Sequence, residues 1–222
     1  MLKEPRVMVV SESAWAGSEV MKMFKSIGFQ NFVPVLRKDE PDLICFLGGE
    51  DINPKLYGEE ILPCTRINQR RDTYEIGVFN NFPLIPKVGI CRGGQLLNVL
   101  SGGAMWQNVD GHTGHHNLID LWEEEYYNVT STHHQMMIPG PGAEELAIAW
   151  QSKKFQTATK RDRPDHDTEV VFYRKTNSLC FQPHPEYGPG DTRDLFAKYL
   201  KKLWNYGPDL PKKEEGEKID VC

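Results

Sequence analysis

Long apolar runs are absent from this sequence of 222 residues. No stretch reaches the ~18 consecutive apolar residues that a membrane-spanning helix needs, so we expect no membrane partner. Residues 1–6 lack the apolar centre of a signal peptide. Basic residues are not in excess, because 26 Lys and Arg against 31 Asp and Glu give a net charge of -5. We therefore expect no nucleic-acid partner, since phosphate binding favours a basic surface.

Cysteine is also scarce. The five cysteines are an odd number, and their positions follow no spacing typical of a disulfide framework. Together with the absent signal peptide, this predicts a reducing, cytoplasmic location, in which a single cysteine is free to act as a catalyst. Cys45 and Cys180 lie inside apolar stretches and are predicted core residues, whereas nothing around Cys64 and Cys222 indicates a role.

Short apolar stretches alternate with helical patterns along the chain. Strands are predicted at residues 6–11, 32–36, 42–47, 84–90, 126–130, 146–150, 169–174 and 178–182. Helices are predicted at residues 18–27, 72–82, 93–100 and 191–204. Strands that alternate with helices form parallel βαβ units, so the sequence predicts an α/β three-layer sandwich.

The length of the chain fits one domain, which we place at residues 1–206. Residues 207–222 are charged and have no apolar pattern, which predicts a disordered tail. Residues 153–168 are also polar and are predicted to form a mobile loop.

The strongest local motif is G-I-C-R-G at residues 89–93, between an apolar strand and a helical pattern. The pattern G-x-nucleophile-x-G places Cys91 on a tight turn at the end of a strand. The positive end of the following helix favours a thiolate. The N–H of Arg92 and a group from Gly48-Gly49 are expected to bind an oxyanion. The alternative is that Cys91 fills a small apolar space at a strand end.

A cysteine nucleophile needs a base, and the base needs a partner that holds its tautomer. The motif Q-P-H-P-E at residues 182–186 follows a predicted strand. Pro185 restricts His184 to an extended conformation, in which residues two apart point to the same side. His184 and Glu186 are therefore predicted to face Cys91 together. The alternative is a proline-rich turn whose His and Glu are exposed to solvent.

Six motifs in order resemble the class I, or triad, glutamine amidotransferase superfamily. They are L-G-G-E-D-I-N-P-K-L-Y-G-E (47–59), R-R-D-T-Y-E (70–75), G-I-C-R-G-G-Q-L-L-N-V (89–99), G-G-A-M-W-Q-N-V (102–109), T-S-T-H-H-Q (130–135) and Q-P-H-P-E (182–186). The sequence is most similar to the γ-glutamyl hydrolase branch, peptidase C26, which includes γ-glutamyl-γ-aminobutyrate hydrolase. Two departures are Glu50, where small or polar residues are common, and Gly94, where a bulkier apolar residue is usual.

The resemblance implies a flavodoxin-like core with a central, mostly parallel sheet. It implies that Cys91 attacks a γ-carboxamide carbon and forms a γ-glutamyl thioester. It also implies that His184 assists hydrolysis of this thioester and that Glu186 orients His184. The N–H groups of Gly49 and Arg92 would then form the oxyanion hole.

The resemblance also implies a set of substrate-binding residues. Gln95 would hold the glutamyl moiety. The loop at residues 131–135 would meet the α-amino and α-carboxylate groups of the substrate, and the residues assigned to this role are Ser131, His133, His134 and Gln135. This chemistry requires no cofactor, nucleotide or metal ion.

The histidines invite another interpretation, a metal site. H-x-x-H-H at residues 112–116 supplies two or three ligands at most, and no Cys or carboxylate lies at a firm ligand spacing nearby. We therefore predict no metal ion and assign these residues, with His133 and His134, to an active-site loop or to surface loops. R-R-D at residues 70–72 is predicted to begin a helix, with a substrate-facing arginine as the alternative.

Two functions fit the motifs. The first is a stand-alone hydrolase whose partner is a small γ-glutamyl amide. The second is a glutaminase subunit that binds glutamine and delivers ammonia to a separate ligase or synthetase. An inactive binding module conflicts with the intact Cys91, His184 and Glu186. A metallohydrolase would require activity that survives Cys91→Ala and is lost on treatment with a chelator.

Overall fold

The computed structural model describes residues 5–35, 41–187 and 190–206. The predicted tail at residues 207–222 therefore lies outside the described part of the chain. Among the described helices, none combines the length and the apolar character needed to cross a membrane.

The described chain forms four α-helices and thirteen strands. The helices are α1 (Ala14–Ser26), α2 (Gln69–Asn81), α3 (Arg92–Leu100) and α4 (Asp191–Trp204). The strands are β1 (Arg6–Val10), β2 (Asn31–Phe32), β3 (Leu43–Phe46), β4 (Lys87–Ile90), β5 (Ala104–Trp106), β6 (Asn108–Val109), β7 (Thr113–Asp120), β8 (Glu125–Thr132), β9 (Met136–Ile138), β10 (Ala143–Ala149), β11 (Phe155–Gln156), β12 (Asp167–Tyr173) and β13 (Ser178–Phe181). A short 3-10 helix covers Pro54–Tyr57.

Nine strands form the main sheet, in the order β2-β1-β3-β4-β13-β12-β10-β7-β8. The first five run parallel, and each later strand is antiparallel to its neighbour. Seven of the nine strands described in this sheet therefore run in one direction, and β12 and β7 oppose them. The predicted α/β fold with a mostly parallel central sheet is confirmed.

Helices cover both faces of the parallel half. Successive residues of a strand point to opposite faces, and in β3 Leu43 and Cys45 pack with α1 and α4. Ile44 and Phe46 of the same strand pack with α2 and α3. The sheet is thus the middle of three layers, and its parallel strands are apolar on both sides.

Several predicted boundaries are wrong. Helix α1 begins four residues before the predicted start, because Ser13 caps it by accepting a hydrogen bond from the N–H of Ala16. The strand predicted at residues 32–36 is reduced to Asn31–Phe32, and Leu36 lies outside the described residues. Pro86 precedes β4, so this strand covers only the last four of the predicted residues.

The second half contains strands that the sequence pattern did not predict. Strand β7 includes most of the stretch 112–116 that the sequence assigns to loops, and its inward positions include His116 and Asp120 as well as Leu118. The polar segment 153–168, predicted as a mobile loop, contains β11 and the start of β12. Glu59 holds this segment by accepting hydrogen bonds from the N–H of Thr159, at 2.7 Å, and from the side chain of Arg161, at 3.1 Å.

Candidate active site

Cys91 lies where β4 ends and α3 begins. Its backbone has a φ of 50° and a ψ of -112°, a conformation that residues other than glycine rarely adopt. The surrounding structure fixes this turn, since the N–H of Cys91 donates to Phe181 O at 2.8 Å and its carbonyl accepts from the N–H of Gln95 at 3.0 Å. The thiol is 7% exposed at the carboxyl edge of the sheet, where α/β folds place their functional groups.

Glycines beside Cys91 allow this turn because three chain segments meet there. A Cβ atom at Gly93 would lie 2.2 Å from Phe46 O, and one at Gly94 would lie 2.9 Å from the Phe181 nitrogen. Both distances are too short for any larger residue without movement of the backbone. Gly94, a departure from the family pattern, is therefore explained by the close packing of α3 on the sheet.

His184 and Glu186 follow β13, the parallel neighbour of β4. His184 Nδ1 donates to Glu186 Oε1 at 2.8 Å, which leaves Nε2 for Cys91. Thr130 at the end of β8 fixes the main chain of His184, because its hydroxyl donates to His184 O at 2.8 Å. A Cβ atom at Gly48 would lie 3.0 Å from His184 Cε1 and 3.7 Å from Cys91 Cβ, so both side chains border the glycine loop.

The charge state of His184 follows from its neighbours. Burial disfavours the imidazolium, but the proximity of Cys91 and the hydrogen bond to Glu186 outweigh it and raise the pKa of His184 to about 10. A protonated imidazole next to a thiol stabilises the thiolate by charge. The arrangement therefore provides a nucleophile together with an acid that can protonate a leaving group.

Tyr187 is a residue of the site that the sequence motifs did not single out. Its ring lies parallel to that of His184, with centroids 4.5 Å apart and an interplanar angle of 12°. Its N–H also donates to His184 O at 3.3 Å. The ring covers one face of the imidazole and limits its rotation. The sequence signal was an aromatic residue directly after Q-P-H-P-E.

The two expected oxyanion donors come from the start of α3 and from the loop after β3. Arg92 is the first residue of α3, and the first N–H groups of a helix have no partner within it. Gly49 follows β3 and has a φ of 150°, which glycine adopts readily. The role of both N–H groups in catalysis stays a prediction.

Helix α2 begins at Gln69, close to the predicted start, and Asn68 caps it by accepting from the N–H of Arg71 at 3.1 Å. Arg70 is exposed, and Arg71 is buried. The guanidinium of Arg71 donates to the carbonyls of Leu47 and Gly48, so it faces the glycine loop. Neither sequence-based interpretation described this contact.

Gln95 and Gln135 are both buried. Gln95 Nε2 donates to Gln135 O at 3.3 Å and to Gln182 Oε1 at 3.2 Å. Gln135 Nε2 in turn donates to Gln107 O at 3.3 Å. These bonds join α3 to the loop at residues 131–135, and a substrate-binding role for the two glutamines stays a prediction.

The three other predicted substrate-binding residues differ in exposure. Ser131 is buried, and its hydroxyl donates to His112 O at 2.9 Å. His133 is also buried, with Nδ1 2.9 Å from Gln135 O. The His134 side chain is 43% exposed, and its Nε2 lies 3.1 Å from Asp51 Oδ1. Of these three residues, His134 is the one with a partly exposed side chain, and the role of all three stays a prediction.

A buried cluster of polar residues lies behind this loop. His112, His116 and Glu169 have ligand atoms within 4.8 Å of one another, close enough for a metal ion. Strand β12 brings Glu169 and Asp167 beside these histidines, although both acids lie more than fifty positions away in the sequence, where no ligand spacing could indicate them. Both His112 and His116 are buried, and His116 lies in β7, so the surface-loop alternative is wrong for both residues.

Hydrogen bonds and charge account for this proximity without a metal ion. His116 Nε2 donates to Glu169 Oε1 at 3.0 Å, and His112 lies 3.2 Å from the same oxygen and 3.3 Å from Asp167 Oδ2. Burial opposes protonation of His112, but the two carboxylates outweigh it and raise its pKa to about 9. His133 stacks on His112, and burial lowers the pKa of His133 to about 3. The absence of a resident metal ion stays a prediction.

A separate cavity of about 510 Å³ lies beside the segment that contains β11. Trp106, Phe155 and Arg161 are among the residues that line it. Cys91 and His184, the predicted nucleophile and base, are not in its lining, so this cavity is distinct from the candidate site at the strand ends.

Comparison with known proteins gives a family match. Residues 38–160, slightly more than half of the chain, match the sequence profile of the family described as Peptidase C26. The match includes Cys91 and the loop at residues 131–135, and it ends before His184 and Glu186.

Curated relatives cover parts of the chain. The carbamoyl phosphate synthase small chain of Helicobacter acinonychis is 30% identical over 124 residues, which are 55% of this chain and 30% of that protein. The chain thus matches less than a third of the length of that relative. YvdE of Lactococcus lactis, described as glutamine amidotransferase-like, is 27% identical over 195 residues, which are 75% of this chain and 73% of that protein.

A glutamine amidotransferase structure from Thermotoga maritima shares the fold. Its TM-score is 0.59 at 15% sequence identity, and the match covers 91% of this chain and 84% of that chain. At this identity the likeness concerns the fold alone, and it agrees with the flavodoxin-like arrangement expected from the motifs.

Proposed function

The chain belongs to the peptidase C26 family of the class I glutamine amidotransferase superfamily, and from this premise we propose that it hydrolyses a γ-glutamyl amide bond. Membership also confirms the expectation of an enzyme of the class I glutamine amidotransferase type. The observation that carries the proposal is the convergence of Cys91, His184 and Glu186 at neighbouring strand ends. We assign this activity to the predicted domain, residues 1–206.

In the first step, the Cys91 thiolate attacks the γ-carboxamide carbon, and a C–S bond forms. The carbonyl oxygen takes the negative charge, which the N–H groups of Gly49 and Arg92 stabilise. His184 then gives its proton to the leaving nitrogen as the C–N bond breaks. The amine or ammonia departs, and a γ-glutamyl thioester remains on Cys91.

In the second step, the neutral His184 accepts a proton from water as the water oxygen attacks the thioester carbon. The C–S bond breaks, Cys91 leaves as a thiolate, and glutamate is released. Glu186 holds the imidazole with Nε2 toward Cys91 throughout both steps. A pKa of His184 near 10 suits the first step, since the resting enzyme then holds the proton that the leaving group needs.

We propose that the glutamyl moiety lies between Gln95 and the loop at residues 131–135. His134 has the partly exposed side chain among these residues, and its hydrogen bond to Asp51 raises its pKa, which favours the protonated form. A positive His134 suits the α-carboxylate of the substrate. The buried Ser131 and His133 then support the loop through their hydrogen bonds.

The test is glutamate release from L-glutamine and from a panel of γ-glutamyl amines, measured beside Cys91→Ala and Cys91→Ser. We expect release that both substitutions abolish, with the free energy of unfolding little changed. Activity that persists in either variant at the wild-type rate would rule out the proposed mechanism. Activity that survives Cys91→Ala and is lost on treatment with a chelator would instead support a metal-dependent hydrolase.

The second candidate function is a glutaminase subunit that supplies ammonia to a separate ligase or synthetase. Similarity to a carbamoyl phosphate synthase small chain favours it. Weak release confined to glutamine, which increases when a partner synthetase is added, would identify this function. Strong release from a γ-glutamyl amine by the isolated chain would identify the stand-alone hydrolase.

A further inference from the structure

Two arginines and two acids form a buried network beneath the proposed oxyanion hole. Arg71, Asp72, Glu75 and Arg92 each have side chains that are at most 7% exposed. Arg71 Nε donates to Glu75 Oε1 at 2.8 Å, and Arg92 pairs with Glu75 and with Asp72. The four formal charges cancel, which makes the burial of each one possible.

This network reaches both sides of the nucleophile. Arg71 Nη2 donates to Leu47 O at 2.9 Å and to Gly48 O at 3.0 Å, the two carbonyls that precede Gly49. Arg92 Nε donates at 3.1 Å to the carbonyl of Glu50, the residue after Gly49. Three hydrogen bonds therefore fix the peptide units around the donor on the glycine loop.

The guanidinium of Arg71 also occupies the space that a side chain at residue 49 would fill. A Cβ atom at Gly49 would lie 2.0 Å from Arg71 Nη1. The glycine and the arginine are therefore matched to each other. Glu50, a departure from the family pattern, contacts the same group, with Oε2 3.4 Å from Arg71 Nη1.

We propose that this ion-pair network sets the distance and direction of the two oxyanion donors, and that Arg71 is a positioning residue for amide cleavage. Arg71 orients the Gly49 loop, and the side chain of Arg92 fixes the helix end that carries the other N–H. Helix α2 provides both acids, so this one helix supports both sides of the oxyanion hole. The inference rests on the proposed function.

Arg71→Lys tests the role because lysine keeps the charge but offers one compact donor group in place of a planar fork. We expect kcat for L-glutamine and for γ-glutamyl-p-nitroanilide to fall about 100-fold, the typical loss of one oxyanion donor, with little change in KM. Alkylation of Cys91 by iodoacetamide should keep its wild-type rate, because that reaction forms no oxyanion. Arg70→Lys, the same change at the exposed neighbour, should leave both rates unchanged.

A fall of equal size in turnover and alkylation would show general disruption of the site and would overturn the proposal. So would a wild-type kcat in Arg71→Lys. If Arg71→Lys does not fold, as judged by circular dichroism, Glu75→Gln decides in the same way, since it keeps the shape of the side chain and removes the shared charge. Wild-type protein without Cys91-dependent turnover would instead refute the proposed function, and the two failures are therefore distinguishable.

Discussion

At the scale of single residues, burial and neighbouring charges set the protonation states of the site. His184 is 4% exposed and stays protonated because Cys91 and Glu186 lie beside it. The buried His112 is protonated through two carboxylates, whereas His133, stacked on it, is neutral. Two histidines in one stack therefore carry different charges, which reduces their mutual repulsion.

The pairing of His184 with Cys91 predicts a pH profile. In the wild type, the imidazolium of His184 should favour the thiolate and allow rapid alkylation of Cys91 by iodoacetamide at neutral pH. In His184→Asn, alkylation should need a higher pH. Alkylation rates measured from about pH 6 to about pH 10 check this. Identical profiles for both proteins would mean that His184 is not paired with Cys91.

The raised pKa of His112 predicts a loss of stability at alkaline pH. The folded state binds this proton more tightly than the unfolded state, whose pKa is near ~6.5. The contribution, up to about 3 kcal/mol, is complete below that value and is lost as the pH rises through about 9. Urea unfolding at a series of pH values should show a smaller decline in His112→Gln than in the wild type. His115→Gln, at an exposed position of β7, should retain the wild-type decline.

At the scale of secondary structure elements, α3 packs against β3 with almost no space between their backbones. Gly93→Ala should destabilise the fold by about 1–3 kcal/mol, because the added methyl group would meet Phe46 O at 2.2 Å. Gly77→Ala, in α2, meets nothing within 4 Å and should stabilise it by about 0.4–1 kcal/mol. Urea unfolding of both variants gives the two signs. A stable Gly93→Ala would contradict this account of the packing.

Sequence patterns predicted the elements whose buried faces are apolar. Strands β1, β3 and β13 and helix α4 agree closely with their predictions, since apolar runs and an amphipathic stripe leave little ambiguity. Strand β7 was missed because it places His116 and Asp120 inward, where hydrogen bonds and ion pairs satisfy them. A periodicity based on hydrophobicity cannot register such positions.

The site was predictable to a similar degree and for a related reason. The turn at Cys91 and the extended segment from His184 to Glu186 are encoded by local sequence, with glycine and proline at fixed spacing. The contact of Arg71 with the glycine loop joins residues more than twenty positions apart, and no local pattern specifies it. The pairing of the histidines with Glu169 has the same origin, since it spans more than fifty positions.

At the scale of the whole molecule, Asp120 attaches the antiparallel half of the sheet to α4. This fully buried carboxylate lies 2.7 Å from Tyr199 Oη and 2.9 Å from Lys198 Nζ. Tyr199 Oη is also 2.9 Å from Leu146 O in β10. Asp120, Tyr199 and Leu146 thus connect β7, the last described helix and β10.

Tyr199→Phe should therefore lower the free energy of unfolding by about 1–3 kcal/mol, since a buried carboxylate loses a hydrogen bond. The slope of the unfolding free energy against urea concentration should stay the same, because the surface exposed on unfolding is unchanged. Tyr74→Phe, at a tyrosine that is 42% exposed, should change the free energy of unfolding by less than about 0.5 kcal/mol. An equal effect of the two substitutions would contradict the role of Asp120 as an anchor.

The position of the triad along the chain has a consequence for synthesis. Cys91 leaves the ribosome 93 residues before His184. The hydrogen bond from its N–H to Phe181 O must also wait for β13. A nascent chain that ends before β13 therefore holds Cys91 without its proposed acid and without the strand that supports its backbone. In the proposed mechanism, the reactive site is complete only after the C-terminal half has been made.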